Sequence, residues 1–233
     1  MPKRSTISKA LAALAATVIV AACGGSPEAR SITVTFIRHA QSESNASGII
    51  DTQVPGPGLT PEGKGQAQQV AQAPGHNYDG IYASTMVRTQ QTAAPLASEL
   101  GKQVEVLQGI QEISAGWYEG KPISEEAATY LLAPADWLKG DVSNSIPGSV
   151  SGKQFNDAFT AAMQKVYNSG QHNPVVFSHK FAIEYWTLMN TKNAKDSLLT
   201  SHPLPNVGRV VITGNPMTGW TLTDWDGIRD FHN

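Results

Sequence analysis

The sequence predicts a single α/β domain: a mostly parallel central sheet with helices on both faces. Three observations lead there. Strand and helix signals alternate through roughly 200 residues, as in successive strand–helix–strand units. The 233 residues are 40% hydrophobic and 15% charged, which supports one substantial core. Beyond a short linker there is no internal repeat or low-complexity tract to divide the chain.

The beginning of the chain stands apart from that domain. Lys3, Arg4 and Lys9 precede an apolar run from Ala10 to Ala22, broken only by Thr17. A charged stretch followed by an apolar run of this length reads as an export signal, too short for a comfortable membrane span. The run ends in "VAAC", which resembles the bacterial lipobox. That resemblance implies that Cys23, the sole cysteine, is lipid-modified and becomes the new N-terminus. The expected organisation is therefore a signal peptide at 1–22, a lipidated cysteine and linker at 23–31, and a folded domain at 32–233. Its expected location is extracytoplasmic, anchored to a bacterial membrane by the N-terminal lipid. The alternative is an ordinary signal peptide that happens to contain Cys23.

The domain's elements follow in order. "SITVTFI" (31–37) is a first strand rich in β-branched residues. "LTPEGKGQAQQVAQ" (59–72) is a helix with Thr60 as N-cap and Pro61 at the first helical position, where a missing N–H costs nothing. "YDGIYAS" (78–84) is a short strand leading into the helix "TMVRTQQTAAPLASELG" (85–101), closed by Gly101 and complicated by Pro95. "QVEVLQ" (103–108) is a third strand. In "KQFNDAFTAAMQKVYNSG" (153–170), Phe155, Phe159, Ala162 and Val166 share one helical face. "PVVFSH" (174–179) is a fourth strand, "FAIEYWTLMN" (181–190) a helix, and "VGRVVITGNPMTGWTLTDW" (207–225) a hairpin.

Charge narrows the partners. Three of the 17 basic residues fall in the leader, so the remainder carries about −5 with 19 acidic residues. With no extended basic cluster, nucleic acid is not an expected partner. The six histidines show no zinc-type spacing, no phosphate-binding glycine loop is present, and no cofactor is expected. One cysteine, placed in the leader, supports neither disulfides nor thiol catalysis. "GSVSG" (148–152) has valine where a serine-hydrolase elbow needs its nucleophile.

In open α/β sheets, ligands bind beyond the carboxyl ends of the strands. Arg38 and His39 lie just past the first strand, Arg88 opens the helix after the second, and His179 ends the fourth. Glu112 follows the third at longer range. Singly, each has an ordinary reading: a hydrogen-bonded structural histidine, a solvated or ion-paired arginine, a surface carboxylate. Together they make one compact cationic pocket. Two guanidinium forks and a histidine suit the oxygens of a phosphoryl group, and a second, neutral imidazole can attack phosphorus. A carboxylic acid nearby would protonate the leaving oxygen and then activate water.

"FIRHAQSESN" resembles the "RHG" signature of the histidine phosphatase superfamily, the phosphoglycerate mutase-like proteins. "GLTPEGKGQAQQVA", "IYASTMVRTQQTA", "IQEISAGWYEG" and "VVFSHK" are similar to four further motifs of that family, in its order. The resemblance runs from residue 32 onward and implies a phosphoglycerate mutase-like fold. It makes His39 the nucleophile, Arg38, Arg88 and His179 the phosphate clamp, Glu112 the proton donor and Asn45 a further pocket residue. Spacing alone leaves Glu119 as a rival acid. The implied activity is metal-independent hydrolysis of a phosphorylated small molecule or other phosphoester through a phosphohistidine. A mutase-type phosphoryl transfer, or a catalytically weak lipoprotein that binds phospho-ligands, are the alternatives.

Two departures from the pattern stand out: Ala40 follows the nucleophile where glycine is usual, and Lys180 and Phe181 replace small residues after the second histidine. Residues 121–150 are a candidate flap, with Trp137 or Leu138 either touching substrate or packing in the core. Oligomeric state is not legible.

Overall fold

The computed structural model describes residues 29–231, so the expected leader with Cys23 lies outside the described residues. β1 (Ile32–Arg38) runs into a polar stretch that is itself ordered: Ser42 caps α1 (Glu43–Ser47) in a capping box with Asn45. In α2 (Pro61–Gln72) the Thr60 hydroxyl accepts the Gly63 N–H at 2.9 Å, as the sequence predicts. Gly63 is required by contact, because a Cβ there would lie 2.0 Å from the Gln41 carbonyl oxygen. β2 (Gly80–Ser84) leads to α3 (Val87–Glu99), which contains Pro95, and then to β3 (Val104–Leu107).

A 3-10 turn at Gly116–Tyr118 precedes two short helices, α4 (Ile123–Tyr130) and α5 (Leu132–Leu138). α6 (Gly152–Asn168) opens with a Ser151–Gln154 capping box and buries Phe155, Phe159, Ala162 and Val166 on the expected face. β4 (Pro174–Ser178), α7 (Lys180–Asn190), the short α8 (Leu198–Ser201) and the hairpin of β5 (Arg209–Asn215) and β6 (Gly219–Trp225) complete the described chain.

One six-stranded sheet, in the order β3-β2-β4-β1-β5-β6, organises these elements. β3, β2, β4 and β1 are parallel, whereas β5 and β6 extend the sheet antiparallel. The strict period of two in a strand sends alternate residues to opposite faces. Ile37, Ile81, Ala83, Val175 and Phe177 meet Ala71 of α2 and Ala93 and Leu96 of α3. Phe36, Tyr82 and Val176 meet Phe159 of α6 and Trp186 of α7 on the other side. There Phe159 and Trp186 stack at 4.9 Å between centroids, the kind of pair that contributes about 0.5–1.5 kcal/mol beyond its buried area.

Register decides where the chemistry goes. Arg38 pairs with Ser178 and Phe177 with Ala83, so β1, β4 and β2 end side by side at the carboxyl edge of the sheet. The residues that follow, His39, His179 and the start of α3, are thereby brought together.

Candidate active site

His39 sits at the end of β1 with its N–H donating to the Ser178 carbonyl at 2.9 Å, so its backbone still belongs to the sheet. Its ring is buried. Arg88 Nε donates to His39 Nε2 at 3.1 Å. A guanidinium can only donate, so Nε2 must be the acceptor nitrogen and the proton must sit on Nδ1. Nδ1 indeed lies 2.7 Å from the Ala40 carbonyl oxygen, which accepts that proton. Burial, and then the charges of Arg88 and Arg38, hold His39 well below the usual histidine range. The ring is therefore neutral at physiological pH, with its lone pair on Nε2.

Arg88 lies in the first turn of α3 and is 2% exposed. Its Nη2 donates to the Asp51 carbonyl at 2.9 Å, while Nη1 has no hydrogen-bond partner among the described residues and stands 3.6 Å from Asp51 Oδ1. Thr92, one turn on, accepts the Ala40 N–H at 3.0 Å and donates to the Arg88 carbonyl at 2.6 Å. That hydroxyl ties the backbone after His39 to the helix that carries Arg88.

Arg38 is fixed from the loop at 204–208. Its Nη1 donates to the Leu204 carbonyl at 2.8 Å, and its buried Nε has no partner among the described residues. The same loop supplies Asn206, whose amide donates to the His39 carbonyl at 2.9 Å and to Asn45 Oδ1 at 3.1 Å. Asn45 thus faces the cavity with its oxygen already engaged.

His179 stands next to His39, with ring centroids 5.1 Å apart. It is fully buried and does not line the cavity wall. Its Nε2 is 2.8 Å from Ser84 Oγ, and its Nδ1 has no partner among the described residues. Burial first, then Arg88, holds this ring also well below the usual histidine range. His179 is the N-cap residue of α7, yet its side chain caps nothing.

The capping falls instead to Glu112. Its carboxylate accepts the Ala182 N–H at 2.9 Å and the Phe181 N–H at 3.3 Å, the open donors at the start of α7, and the Ile113 N–H at 2.9 Å. Tyr130 steadies this turn by donating to the Ile113 carbonyl at 2.5 Å. These donors and Arg88 favour the carboxylate, but partial burial outweighs them and pushes the Glu112 carboxyl up. Glu112 lines the cavity. Glu119 does not: it accepts the Thr52 N–H at 2.8 Å and the Thr52 hydroxyl at 2.6 Å, bracing the loop that holds Asp51.

The cavity measures about 150 Å³. Arg38, His39, Arg88 and Glu112 line it, and Ile49, Ile50, Ile123, Tyr130 and Phe181 supply apolar lining. Asn45, Asp51 and Lys180 also line it. The methyl of Ala40 points elsewhere, packing with Leu59 and Ala67 in a small separate cluster, so the departure from glycine leaves the cavity untouched. Residues 121–150 reach the cavity through Ile123 and Tyr130, whereas Trp137 is buried against Phe155 and Leu138 packs on the core. Asp51, Thr92, Asn206 and Ser84 escaped the sequence reading, since nothing local marks a loop aspartate or a helical threonine as facing a distant strand end. Among the described residues, no group of three or more His, Cys, Asp and Glu side chains is placed to hold a metal ion.

The fold and cavity define an α/β protein that presents an imidazole lone pair among buried guanidinium groups. The chain belongs to the histidine phosphatase superfamily (branch 1), whose family model matches residues 34–226. A PE-PGRS family protein of Mycobacterium tuberculosis is 47% identical over 216 residues; the match covers 85% of this chain and 37% of that relative, so the chain spans little more than a third of its length. A Hydrogenobacter thermophilus protein designated phosphoserine phosphatase 2 is 31% identical over 62% of this chain and 71% of its own. Among solved structures, a mycobacterial glucosyl-3-phosphoglycerate phosphatase superposes with a TM-score of 0.69 at 18% identity, covering 85% of this chain and all of that one, a likeness of fold.

Proposed function

We propose that this protein hydrolyses phosphate monoesters through a phosphohistidine on His39, without a metal. The observation that carries this reading is the Arg88–His39 contact: it fixes the tautomer that leaves Nε2 nucleophilic and sets a guanidinium beside the atom under attack. Nε2 forms the new N–P bond as the ester P–O bond breaks, and the departing oxygen takes the Glu112 proton. Glu112, now a carboxylate, then removes a proton from water as that water attacks phosphorus and the N–P bond breaks. Phosphate leaves and the neutral imidazole returns. The free N–H groups of Arg38 Nε and Arg88 Nη1, with His179 Nδ1 behind them, stabilise the charge spread over the transferring phosphoryl oxygens. Asn45 borders the same oxygens.

The leaving group is the alcohol of a phosphorylated small molecule, a class supported by the names of the phosphatase relatives. Phosphate release from a panel of phosphoserine, phosphoglycerates and sugar phosphates tests this. His39→Ala lowers kcat roughly a thousandfold or more for every substrate that wild type turns over. Unchanged release in that variant would sink the reading. The protein works outside the cytoplasm, tethered by a lipid on Cys23; full-length protein partitions into detergent, and Cys23→Ala loses the lipid. A mature protein without lipid, beginning at another residue, overturns the tether.

A further inference from the structure

A carboxylate beside an anion-binding arginine is out of place. Arg88 directs Nε to His39 and one Nη2 N–H to the Asp51 carbonyl, whereas Nη1 has no hydrogen-bond partner among the described residues. Asp51 Oδ1 stands 3.6 Å from that same Nη1, an ion pair too long for a hydrogen bond, and is itself buried without a hydrogen-bond partner among the described residues. The loop closes over the pair at Gly56, whose φ is +65°; a Cβ there would come within 2.8 Å of Arg88 Nη1 and 3.2 Å of Asp51 Oδ1. The arrangement is thus built into the fold. An oxyanion that reaches Nη1 must come close to Asp51 Oδ1, and two anions cannot share that place without something between them.

We propose that the Arg88 subsite takes its oxyanion together with one proton, held between Asp51 Oδ1 and a ligand oxygen. Asp51 is then a specificity residue: it selects a tetrahedral oxyanion that arrives with a proton, and it makes anion binding draw that proton from solvent. This rests on the phosphatase reading for its substrate, a phosphate monoester, but not for its geometry. The charged groups facing Asp51 are Arg88 from α3 and Glu119 from the turn before α4; Arg38, His39, Glu112 and Lys180 line the remaining cavity. Burial already raises the Asp51 carboxyl, Arg88 opposes this and Glu119 adds to it, so an arriving anion pushes further in the same direction.

The test uses sulfate, a dianion throughout pH 5–8, and calorimetric titration of the full protein in buffers of different ionisation enthalpy. Wild type binds sulfate more weakly by tenfold or more at pH 8 than at pH 5, with proton uptake on binding. Asp51→Asn retains the backbone carbonyl that holds Arg88 Nη2, binds sulfate about tenfold or more tighter than wild type at pH 8, and takes up fewer protons. Equal pH dependence in the two proteins overturns the proposal. So does weaker binding by Asp51→Asn at every pH, which would make Asp51 only an orienting partner of Arg88. Proton-coupled sulfate binding without phosphate release would leave this proposal standing and remove the hydrolase reading; turnover with no such coupling would do the reverse.

Discussion

Replacing Arg88 by alanine and by lysine separates what its shape does from what its charge does. In Arg88→Ala the phosphoryl group loses the buried Nη1 donor, and His39 loses the Nε bond that orients it at 3.1 Å. Removing one preorganised donor of this kind costs about 3 kcal/mol, so kcat/KM falls roughly a hundredfold or more. A second effect has the opposite character. After burial, Arg88 is the largest influence holding His39 low. Without it the His39 pKa rises, and the acidic limb of the kcat/KM profile, where the nucleophile becomes protonated, moves to higher pH. Arg88→Lys restores a charge but not the planar fork, so the limb returns toward its wild-type position while the rate recovers little. The assay is kcat/KM for p-nitrophenyl phosphate from pH 4.5 to 8, with vanadate inhibition measured alongside. A loss below tenfold in Arg88→Ala, or full recovery in Arg88→Lys, refutes the reasoning.

Glu112→Gln slows hydrolysis of an alkyl ester such as glycerol phosphate far more than single-turnover phosphoryl transfer from p-nitrophenyl phosphate, whose leaving group needs no proton; equal losses take Glu112 out of the acid role. Glu119→Gln keeps that leaving-group pattern unchanged and lowers stability, since Glu119 holds Thr52 rather than facing the cavity; a selective loss with alkyl esters would transfer the acid role to it. Glu184 is 1% exposed, and burial raises its carboxyl from 4.5 to about 7, so between those values the folded protein holds more protons than the unfolded chain. The contribution of Glu184 to stability therefore falls as pH rises through that window, by an amount of order 3 kcal/mol, against the opposite trend from the buried His39 and His179; Glu184→Gln removes this share, so its change in unfolding free energy from pH 5 to pH 8 is more positive than that of wild type by about that amount, and an identical change in the two proteins refutes the assignment.

What the sequence made legible follows the sheet. Arg38, His39 and His179 sit at strand ends that β-branched runs announce, and Arg88 follows the next strand at the head of a helix. Parallel pairing alone brings such positions together. The hairpin over 207–225 was equally plain, and its strands pair up to Asn215 and Gly219. Loops are different, because their course is set by partners far away in the chain. Glu112 illustrates this. Its motif could be recognised, but that its carboxylate would cap a helix 70 residues onward could not, because the helix's own N-cap histidine gave no sign of leaving its capping duty undone. Asp51 is a harder case: read alone it is an acid in a polar turn, and only the fold sets it against Arg88 Nη1, which has no hydrogen-bond partner among the described residues. The strand ends therefore carry the chemistry common to any such pocket, whereas the loops that cross them decide which anion, in which protonation state, this particular pocket accepts.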